Sequence, residues 1–239
     1  MEVIAHRANV AGKEPKRENT LEQVHIALGL GFGVETDIRW NPGLGFYISH
    51  DLAAFSESNN AAHHAAQWRK CPRQVIALNV KELGYEQRLA EFLIQEGVAG
   101  QTFLFDMELL ETVPGKTAQQ YARLNPSLRL AARVSDRNEP LAQALSIREA
   151  SIVWLDEFDR MWAMEEDVVR LHSAGKKVYA VSPELHGFTL AQAQVRWEDF
   201  ASWGVDGICT DNPLALCEQL GLSQRQALKG KETSCSVSN

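Results

Sequence analysis

Short apolar segments alternate with helical patterns along almost the whole chain, and this alternation restricts the fold more than any other feature. Strands are predicted at residues 2–6, 33–39, 74–81, 102–107, 129–135, 151–156, 177–182 and 207–210. Nearly continuous apolar strands favour a parallel sheet whose outer face is covered by helices. Eight strand–helix units in strict succession predict an α/β fold, a (β/α)8 TIM barrel, rather than an open doubly wound sheet.

The segments between these strands have helical periodicity. Helices are predicted at residues 21–30, 85–96, 118–124, 141–148, 165–174 and 191–203. Glycine follows several of them, as at Gly31 and Gly175, where a helix commonly ends. We expect one barrel domain over residues 1–221, with an insertion at 52–73 after the second strand. The polar residues 222–239 are expected to form a disordered tail.

Composition limits the classes of partner. The chain has 239 residues, and its net charge of −7 comes from 24 basic and 31 acidic side chains. This balance argues against a nucleic-acid partner, because such a protein needs basic surface to neutralise phosphates. The longest apolar runs fall well short of a membrane span, so no integral membrane segment is expected. The first predicted strand begins at residue 2 and leaves no room for a signal peptide, which predicts a cytoplasmic location.

Two carboxylates lie on the second predicted strand, at Glu35 and Asp37. Residues two apart on a strand point to the same side, and a pair of like charges needs a neutralising partner. Mg²⁺ and Ca²⁺ prefer oxygen ligands, so this pair predicts a divalent-cation site. A Gly-rich turn at residues 41–45 then folds the chain back, which returns His50 towards the carboxylates.

A second histidine, His6, and a cation, Arg7, follow the first predicted strand. In TIM barrels the active site lies at the carboxyl ends of the strands. Two histidines, two carboxylates and an arginine there suit metal-assisted attack on a phosphate ester. The alternatives are that each histidine is a buried structural residue and that the carboxylates form ion pairs with Arg7 or Lys81.

The order of these motifs resembles the glycerophosphodiester phosphodiesterase family. The matching segments are His6-Arg7, Glu18-Asn19-Thr20, Glu35-x-Asp37, His50-Asp51 and the later Thr210-Asp211-Asn212-Pro213. The same order is also similar to that of sphingomyelinase D-type phospholipases. The resemblance runs from residue 2 to about residue 215.

This resemblance implies hydrolysis of a small-molecule phosphodiester with the help of one divalent cation, Mg²⁺ or Ca²⁺. His6 and His50 would be the acid–base pair, and Glu35 and Asp37 would hold the cation. Arg7 and Lys81 would bind the phosphate, while Arg133 and Glu184 at later strand ends are further candidates for substrate contact. The sequence leaves the oligomeric state and the identity of the nucleophile open.

Residue 79 departs from the resembled families, which have an acidic residue two positions before the lysine that corresponds to Lys81. The side-chain oxygen of Asn79 can still coordinate Mg²⁺ or Ca²⁺, but the site then has one negative charge fewer. Asp106 on the next strand could restore that charge, or could instead form a local cap or salt bridge. We predict that Asn79 and Asp106 both belong to the metal site.

Other functions are compatible with parts of this pattern. A lyase that stops at a cyclic phosphate would use the same residues, and a non-catalytic phosphodiester-binding protein would account for Asn79. An amidohydrolase barrel would show His-x-His after the first strand, where this chain has His6-Arg7. Of the remaining histidines, His186 is a weaker candidate for substrate contact, and His63 and His64 in the insertion are expected to be solvated.

Overall fold

A computed structural model describes residues 1–222 of the chain. Its strands are β1 Glu2–Ala5, β2 Gly33–Asn41, β3 Gly45–Ile48, β4 Ile76–Val80, β5 Thr102–Phe105, β6 Arg129–Val134, β7 Ile152–Leu155, β8 Lys177–Val181 and β9 Gly207–Thr210. Its helices are α1 Leu21–Gly29, α2 Ala61–Lys70, α3 Glu86–Gln95, α4 Lys116–Leu124, α5 Leu141–Ser146, α6 Glu165–Ser173, α7 Leu190–Ser202 and α8 Pro213–Gln219. The predicted tail lies outside the described residues from residue 223 onwards, and the domain boundary at 221 stays a prediction.

Eight of the strands are parallel and form a closed ring. Around the ring the order is β1, β2, β4, β5, β6, β7, β8 and β9, and β9 pairs with β1. The helices between successive strands cover the outside. The predicted TIM barrel is therefore confirmed.

A β-hairpin that the strand prediction did not include stands at the barrel mouth. β2 extends to Asn41, two residues beyond its predicted end, and β3 pairs with its last part in antiparallel orientation. The turn uses Gly43 and Gly45 with φ of 92° and 105°, a region that favours glycine. This hairpin brings the backbone N–H of Ser49 to the carbonyl of Asp37, at 3.0 Å, and so places His50 beside the end of β2.

The interior of the barrel is filled by side chains. Phe103 and Tyr179 contact each other with ring centroids 5.2 Å apart, and Phe105 and Trp154 do so at 4.4 Å. A Cβ atom at Gly207 would lie 2.6 Å from the ring of Tyr179, so this position requires glycine. The lower barrel is thus a packed core, and the space for a ligand lies above it.

The insertion after the hairpin packs beside the barrel. Its helix α2 begins at a cap in which the Asn60 side chain accepts a hydrogen bond from the Ala62 N–H, at 3.0 Å. The helix contacts α1 and β3 and buries His64 and Trp68 completely. The expectation that His64 is solvated is therefore wrong, whereas His63 is exposed. The alanine-rich spacing places His64 on the inward face of the helix.

Within residues 1–222, every helix is too short or too polar to cross a membrane.

Candidate active site

All the residues predicted for the site line one cavity of about 340 Å³ at the carboxyl ends of the strands. The predicted residues around it are His6, Arg7, Glu35, Asp37, His50, Asn79, Lys81, Asp106, Arg133 and Glu184. Strand ends from all sides of a closed barrel converge at its mouth, which explains why residues so distant in sequence meet here. The cavity brings them together, and their chemical roles stay predictions.

His6 lies in a short 3-10 turn at the end of β1, where its ring is held by a carboxylate. Its Nδ1 is 2.8 Å from Oδ1 of Asp211, and its Nε2 is 3.8 Å from Oε2 of Glu35. The amide of Asn9 donates to the same Asp211 oxygen at 2.8 Å. Burial of the ring opposes its charged form, but the hydrogen bond to Asp211 and the charges of Glu35 and Asp211 raise the pKa of His6 above its ordinary value.

Glu35 is almost completely buried and has few partners for its charge. It accepts a hydrogen bond from the backbone N–H of Arg7 at 3.1 Å. Burial, and next the neighbouring charge of Asp37, raise the pKa of Glu35 to about 7. This carboxylate therefore lies where additional positive charge would stabilise its ionised form.

Asp37, the second carboxylate, is fixed from several sides. Its oxygens lie 3.2 Å from Lys81 Nζ and 3.6 Å from Arg7 Nε, and the Asn19 amide donates to it at 3.0 Å. Arg7 in turn donates to Glu18 at 2.9 Å, so Glu18 supports the site through the arginine. The cap of α1 is formed by Thr20 instead.

Asn79 stands directly beside Asp37 in the register between β2 and β4. Its Oδ1 is buried and has no hydrogen-bond partner among the described residues. A buried polar atom without a partner is costly and calls for an explanation, such as a bound ion. The oxygens of Glu35, Asp37 and Asn79 are the donor type that Mg²⁺ and Ca²⁺ prefer. Within residues 1–222 no three His, Cys, Asp or Glu side chains are placed to hold a metal, and the candidate protein ligands here are two carboxylates and one amide.

His50 follows β3 at the outer edge of the cavity, and its side chain is 43% exposed. Its Nδ1 is 2.9 Å from Oδ1 of Asp51. Burial, and then the charge of Arg7, lower the pKa of His50, which is the opposite direction to the shift at His6. The guanidinium of Arg39 donates to the His50 carbonyl at 2.7 Å and pairs with Glu82 at 2.8 Å. Sequence reasoning missed this support.

On the other side of the cavity, Asp106 and Arg133 contact each other. The Arg133 Nε donates to Asp106 Oδ1 at 2.7 Å, and its Nη1 pairs with Asp156. Asp106 is thus in the local salt bridge that was the alternative to metal ligation. Its predicted role as a ligand, and that of Arg133 as a phosphate contact, stay predictions.

Glu184 lies beneath Asp211, and its described partners are protein groups. It accepts hydrogen bonds from the hydroxyls of Ser182 and Thr210 and from the Asp211 N–H at 3.2 Å. These contacts fix the backbone that presents Asp211 to His6. Its predicted contact with substrate is not tested by them.

Two further carboxylates of the cavity, Asp156 and Asp211, were not among the predicted site residues. Both follow predicted strands, so the rule that found the others also applies to them. A second feature marks the site, namely backbone strain. The described non-glycine residues with positive φ are Arg7, Ala8, Asn19 and Asp106. Such strain is common at functional sites, and all four lie at or next to the cavity.

Comparisons with known proteins place the fold of this chain among similar barrels. No protein-family model matches the chain, and no curated protein matches it. A solved glycerophosphoryl diester phosphodiesterase from Parabacteroides distasonis has a TM-score of 0.69 at 16% identity, covering 92% of this chain and 86% of that one. The chain has the barrel fold of such phosphodiesterases. The predicted resemblance is confirmed at this level.

Two other solved structures give the same result. A second glycerophosphodiester phosphodiesterase from Parabacteroides distasonis has a TM-score of 0.66 at 14% identity, covering 92% of this chain and 96% of that one. An Oleispira antarctica phosphodiesterase was solved in complex with the product sn-glycerol-3-phosphate. It has a TM-score of 0.64 at 15% identity, covering 92% of this chain and 97% of that one. At these identities the similarity concerns the fold, and the chemistry has to be argued from the residues themselves.

Proposed function

We propose that the protein is a metal-dependent phosphodiesterase that hydrolyses a small glycerophosphodiester-type substrate. The observation that carries the proposal is the unpartnered Oδ1 of Asn79 beside Glu35 and Asp37, in the cavity that also holds His6 and His50. A buried carboxylate, Glu35, without a close cationic partner, an aspartate and an amide oxygen beside it, and two histidines in the same cavity are a donor set that would suit hydrolysis of a phosphodiester with a cation.

Glu35, Asp37 and Asn79 would hold the cation. When bound, a divalent cation neutralises charge on a phosphoryl oxygen and makes the phosphorus easier to attack. The raised pKa of Glu35, about 7, supports this assignment because it reflects burial and like-charge repulsion within the pair. Asp106 is not needed for the assignment, since its carboxylate pairs with Arg133.

Arg7 and Lys81 would bind the phosphate. Both cations lie against Asp37 at the rim of the same cavity, so a phosphate beside this carboxylate would meet two positive charges. Arginine binds phosphate oxygens through two parallel N–H donors, and lysine acts as a point charge. Both side chains also hold Asp37 in place.

His6 and His50 would handle protons. Hydrolysis breaks one P–O bond, adds water at phosphorus and delivers a proton to the departing alcohol. Asp211 holds His6 through Nδ1, which leaves Nε2 facing Glu35 and the cavity. The opposite directions of the two pKa shifts suit a pair in which one ring donates a proton and the other accepts one.

The substrate class is supported by the solved relatives in fold. The Oleispira antarctica enzyme was solved with sn-glycerol-3-phosphate as product, a phosphate monoester of a small polyol. For this chain the cavity of about 340 Å³ has room for a ligand of that size. Glycerophosphodiesters are therefore the first substrates to test.

The test is a screen of the purified protein, loaded with Mg²⁺ or Ca²⁺, against glycerophosphodiesters, lysophospholipids and sugar-linked phosphodiesters. Released alcohol measures turnover, and phosphorus NMR of the product distinguishes a monoester from a cyclic phosphate. We expect a monoester, with turnover lost in Glu35→Gln. The exposed Glu91→Gln is the matched control and should keep turnover.

Two outcomes would replace the proposal. A cyclic phosphate as the final product would make the protein a lyase. Cation-dependent binding of the diesters without any turnover would make it a phosphodiester-binding protein.

A further inference from the structure

The side of the cavity opposite Glu35 and Asp37 holds a row of polar and charged side chains that the proposed reaction does not use. In the closed ring of eight strands, β7 lies four places from β2. Asp156 follows β7, Arg133 lies on the neighbouring β6, and His186 lies in the 3-10 turn after β8. All three line the cavity.

The charged side chains of this row are paired with one another and deeply buried. Arg133 is only 5% exposed and lies between Asp106 and Asp156, which are 5% and 2% exposed. Its guanidinium donates to one carboxylate through Nε and pairs with the other through Nη1. Because one arginine is shared between two aspartate side chains, little positive charge is left to attract a phosphate.

His186 is the last side chain of this row, and it faces the cavity. Its Nε2 lies 2.5 Å from Oδ1 of Asp156, and its ring packs on Phe158 with centroids 4.2 Å apart. Although burial favours the neutral acid, the hydrogen bond to His186 and the charge of Arg133 lower the pKa of Asp156. The carboxylate is therefore ionised, and Nε2 is the donor. The other ring nitrogen, Nδ1, has no hydrogen-bond partner within residues 1–222.

We infer that His186, held in orientation by Asp156, binds a hydroxyl group of the substrate's alcohol and so selects phosphodiesters of hydroxylated alcohols. This inference rests on the proposed function and adds the residue that determines specificity for the alcohol part of its substrate. A neutral hydroxyl can pair with the free ring nitrogen whichever partner donates the hydrogen.

Charges of both signs lie near His186, and the arginines there are already paired with aspartates, so neither a charged group nor its opposite finds a free partner and a neutral group is favoured. An anionic alcohol would meet the carboxylates of Asp106, Asp156 and Glu184, which all line the cavity. A cationic alcohol would need an open aromatic face. The Phe158 ring already has the guanidinium carbons of Arg137 and Arg133 at 4.2 and 5.4 Å from its centroid, and these would repel a further cation.

The test compares two substrates in the metal-loaded protein. One is a glycerophosphodiester, and the other is bis(p-nitrophenyl) phosphate, a phosphodiester without hydroxyl groups. For His186→Ala we expect kcat/KM on the glycerophosphodiester to fall roughly tenfold or more, as for one hydrogen bond lost from a buried polar site. The change on the hydroxyl-free substrate should stay within about twofold. Asp156→Asn should lower kcat/KM on the glycerophosphodiester, mainly through KM, because the histidine loses its orientation.

The matched control is His172→Ala. His172 also pairs with an aspartate, Asp206, at 3.0 Å, but it does not line the cavity. This variant should leave both substrates unaffected. An equal loss on both substrates in His186→Ala, or no loss on either, would overturn the inference while leaving the proposed function standing.

Failure of the proposed function looks different, because the native protein would then turn over neither substrate. In that case calorimetry with sn-glycerol-3-phosphate and methyl phosphate, in the presence of Mg²⁺, still decides the inference. We expect native protein to prefer the hydroxylated ligand and His186→Ala to lose that preference. If native protein and His186→Ala showed the same preference for sn-glycerol-3-phosphate over methyl phosphate, the inference would be rejected.

Discussion

Two walls of the cavity carry similar side chains but differ in how their charges are paired. The cation wall consists of His6, Glu35, Asp37 and Asn79, on and beside β1, β2 and β4. The paired wall consists of Asp106, Arg133, Asp156 and His186, around β5 to β8. In the cation wall, the side-chain oxygen of Asn79 lacks a partner among residues 1–222, and Glu35 has a pKa raised to about 7. In the paired wall, each carboxylate contacts the same arginine.

This difference separates two tasks that a diester substrate imposes. In the cation wall, Asp37 is paired with Lys81 and Arg7, whereas Glu35 accepts only from the Arg7 N–H and lies 3.8 Å from the His6 ring. Glu35 is thus the group that an added cation would stabilise, and under the proposed function this wall would hold the phosphate and its metal ion. The paired wall is complete by itself and gains nothing from a further ion. It is therefore suited to orienting a neutral part of the substrate, with His186 as its contact.

The largest effect we expect is the loss of turnover when the cation is removed. Under the proposed function the cation wall needs an added cation, so chelation with EDTA should abolish turnover without unfolding the protein. Addition of Mg²⁺ or Ca²⁺ should restore it. Released alcohol and a circular dichroism spectrum, measured on the same sample, check both parts. Full turnover in the chelated protein would show that the two walls do not differ in the way described.

The next largest effect concerns the two histidines of the reaction. His6→Ala and His50→Ala should each lower kcat by on the order of 100-fold or more, as general acid–base catalysis contributes roughly 10²–10⁴-fold. The exposed His25→Ala serves as control and should retain the native kcat. Near-native rates in both active-site variants would remove the acid–base assignment.

A smaller effect distinguishes the walls by metal affinity. Asn79→Ala should weaken cation binding on the order of tenfold or more, because it removes an oxygen of the cation wall. Asp106→Asn should change it by less than about threefold, since that carboxylate pairs with Arg133. Titration calorimetry of the two variants with Mg²⁺ measures both.

The sequence-based prediction that Asp106 is a metal ligand leads to the opposite expectation, namely that Asp106→Asn weakens cation binding strongly. If Asp106→Asn loses metal as Asn79→Ala does, Asp106 belongs to the cation wall. The double variant then adds information, because neighbours that share one ion do not behave additively. Additive losses would place the two residues in independent environments.

Much of the barrel was predictable because its strands are buried on both faces. Apolar runs such as the one ending in Asn79 and Lys81 carry polar residues only at their carboxyl ends, and a closed parallel barrel brings those ends together. The prediction of a shared cavity for His6 and Glu35 therefore needed only strand order. The same rule applies to Asp156, which ends the sixth predicted strand, and to Asp211, which follows the eighth and lies in a matched segment of the resembled family.

Other features depended on contacts that local patterns do not encode. The pairing of β3 with β2 needs the hairpin to fold back in one particular register, and the strand prediction stopped at residue 39. Asp106 has φ of 71°, an unusual backbone that follows from its neighbours rather than from its own preference. Its partner, Arg133, belongs to the next strand, so which charge it meets is decided by the assembled barrel.

The last prediction concerns stability and sets the pH range in which the two walls can be compared. His64 on α2 is completely buried, and neither ring nitrogen makes a hydrogen bond of normal geometry with the part of the chain that the structure describes. Burial lowers its pKa from 6.5 to about 4. Above pH 6.5 the ring is neutral in the folded and the unfolded chain alike, so it contributes no pH dependence there.

Below pH 6.5 the unfolded chain takes up a proton at His64 that the folded chain does not, so the free energy of unfolding falls as the pH falls. The loss approaches ~1.4 kcal/mol per pH unit and totals on the order of 3 kcal/mol near pH 4, where the folded ring also titrates.

Urea unfolding from about pH 7 to about pH 4 should show this slope in native protein and in His63→Ala, whose ring is exposed. His64→Leu should show a shallower slope, because it removes the titrating group and keeps an apolar side chain in the helix face. If acid still lowers activity in His64→Leu while its stability holds, that loss belongs to the cavity itself. An unchanged slope in His64→Leu would instead assign the acid sensitivity of the fold to other groups.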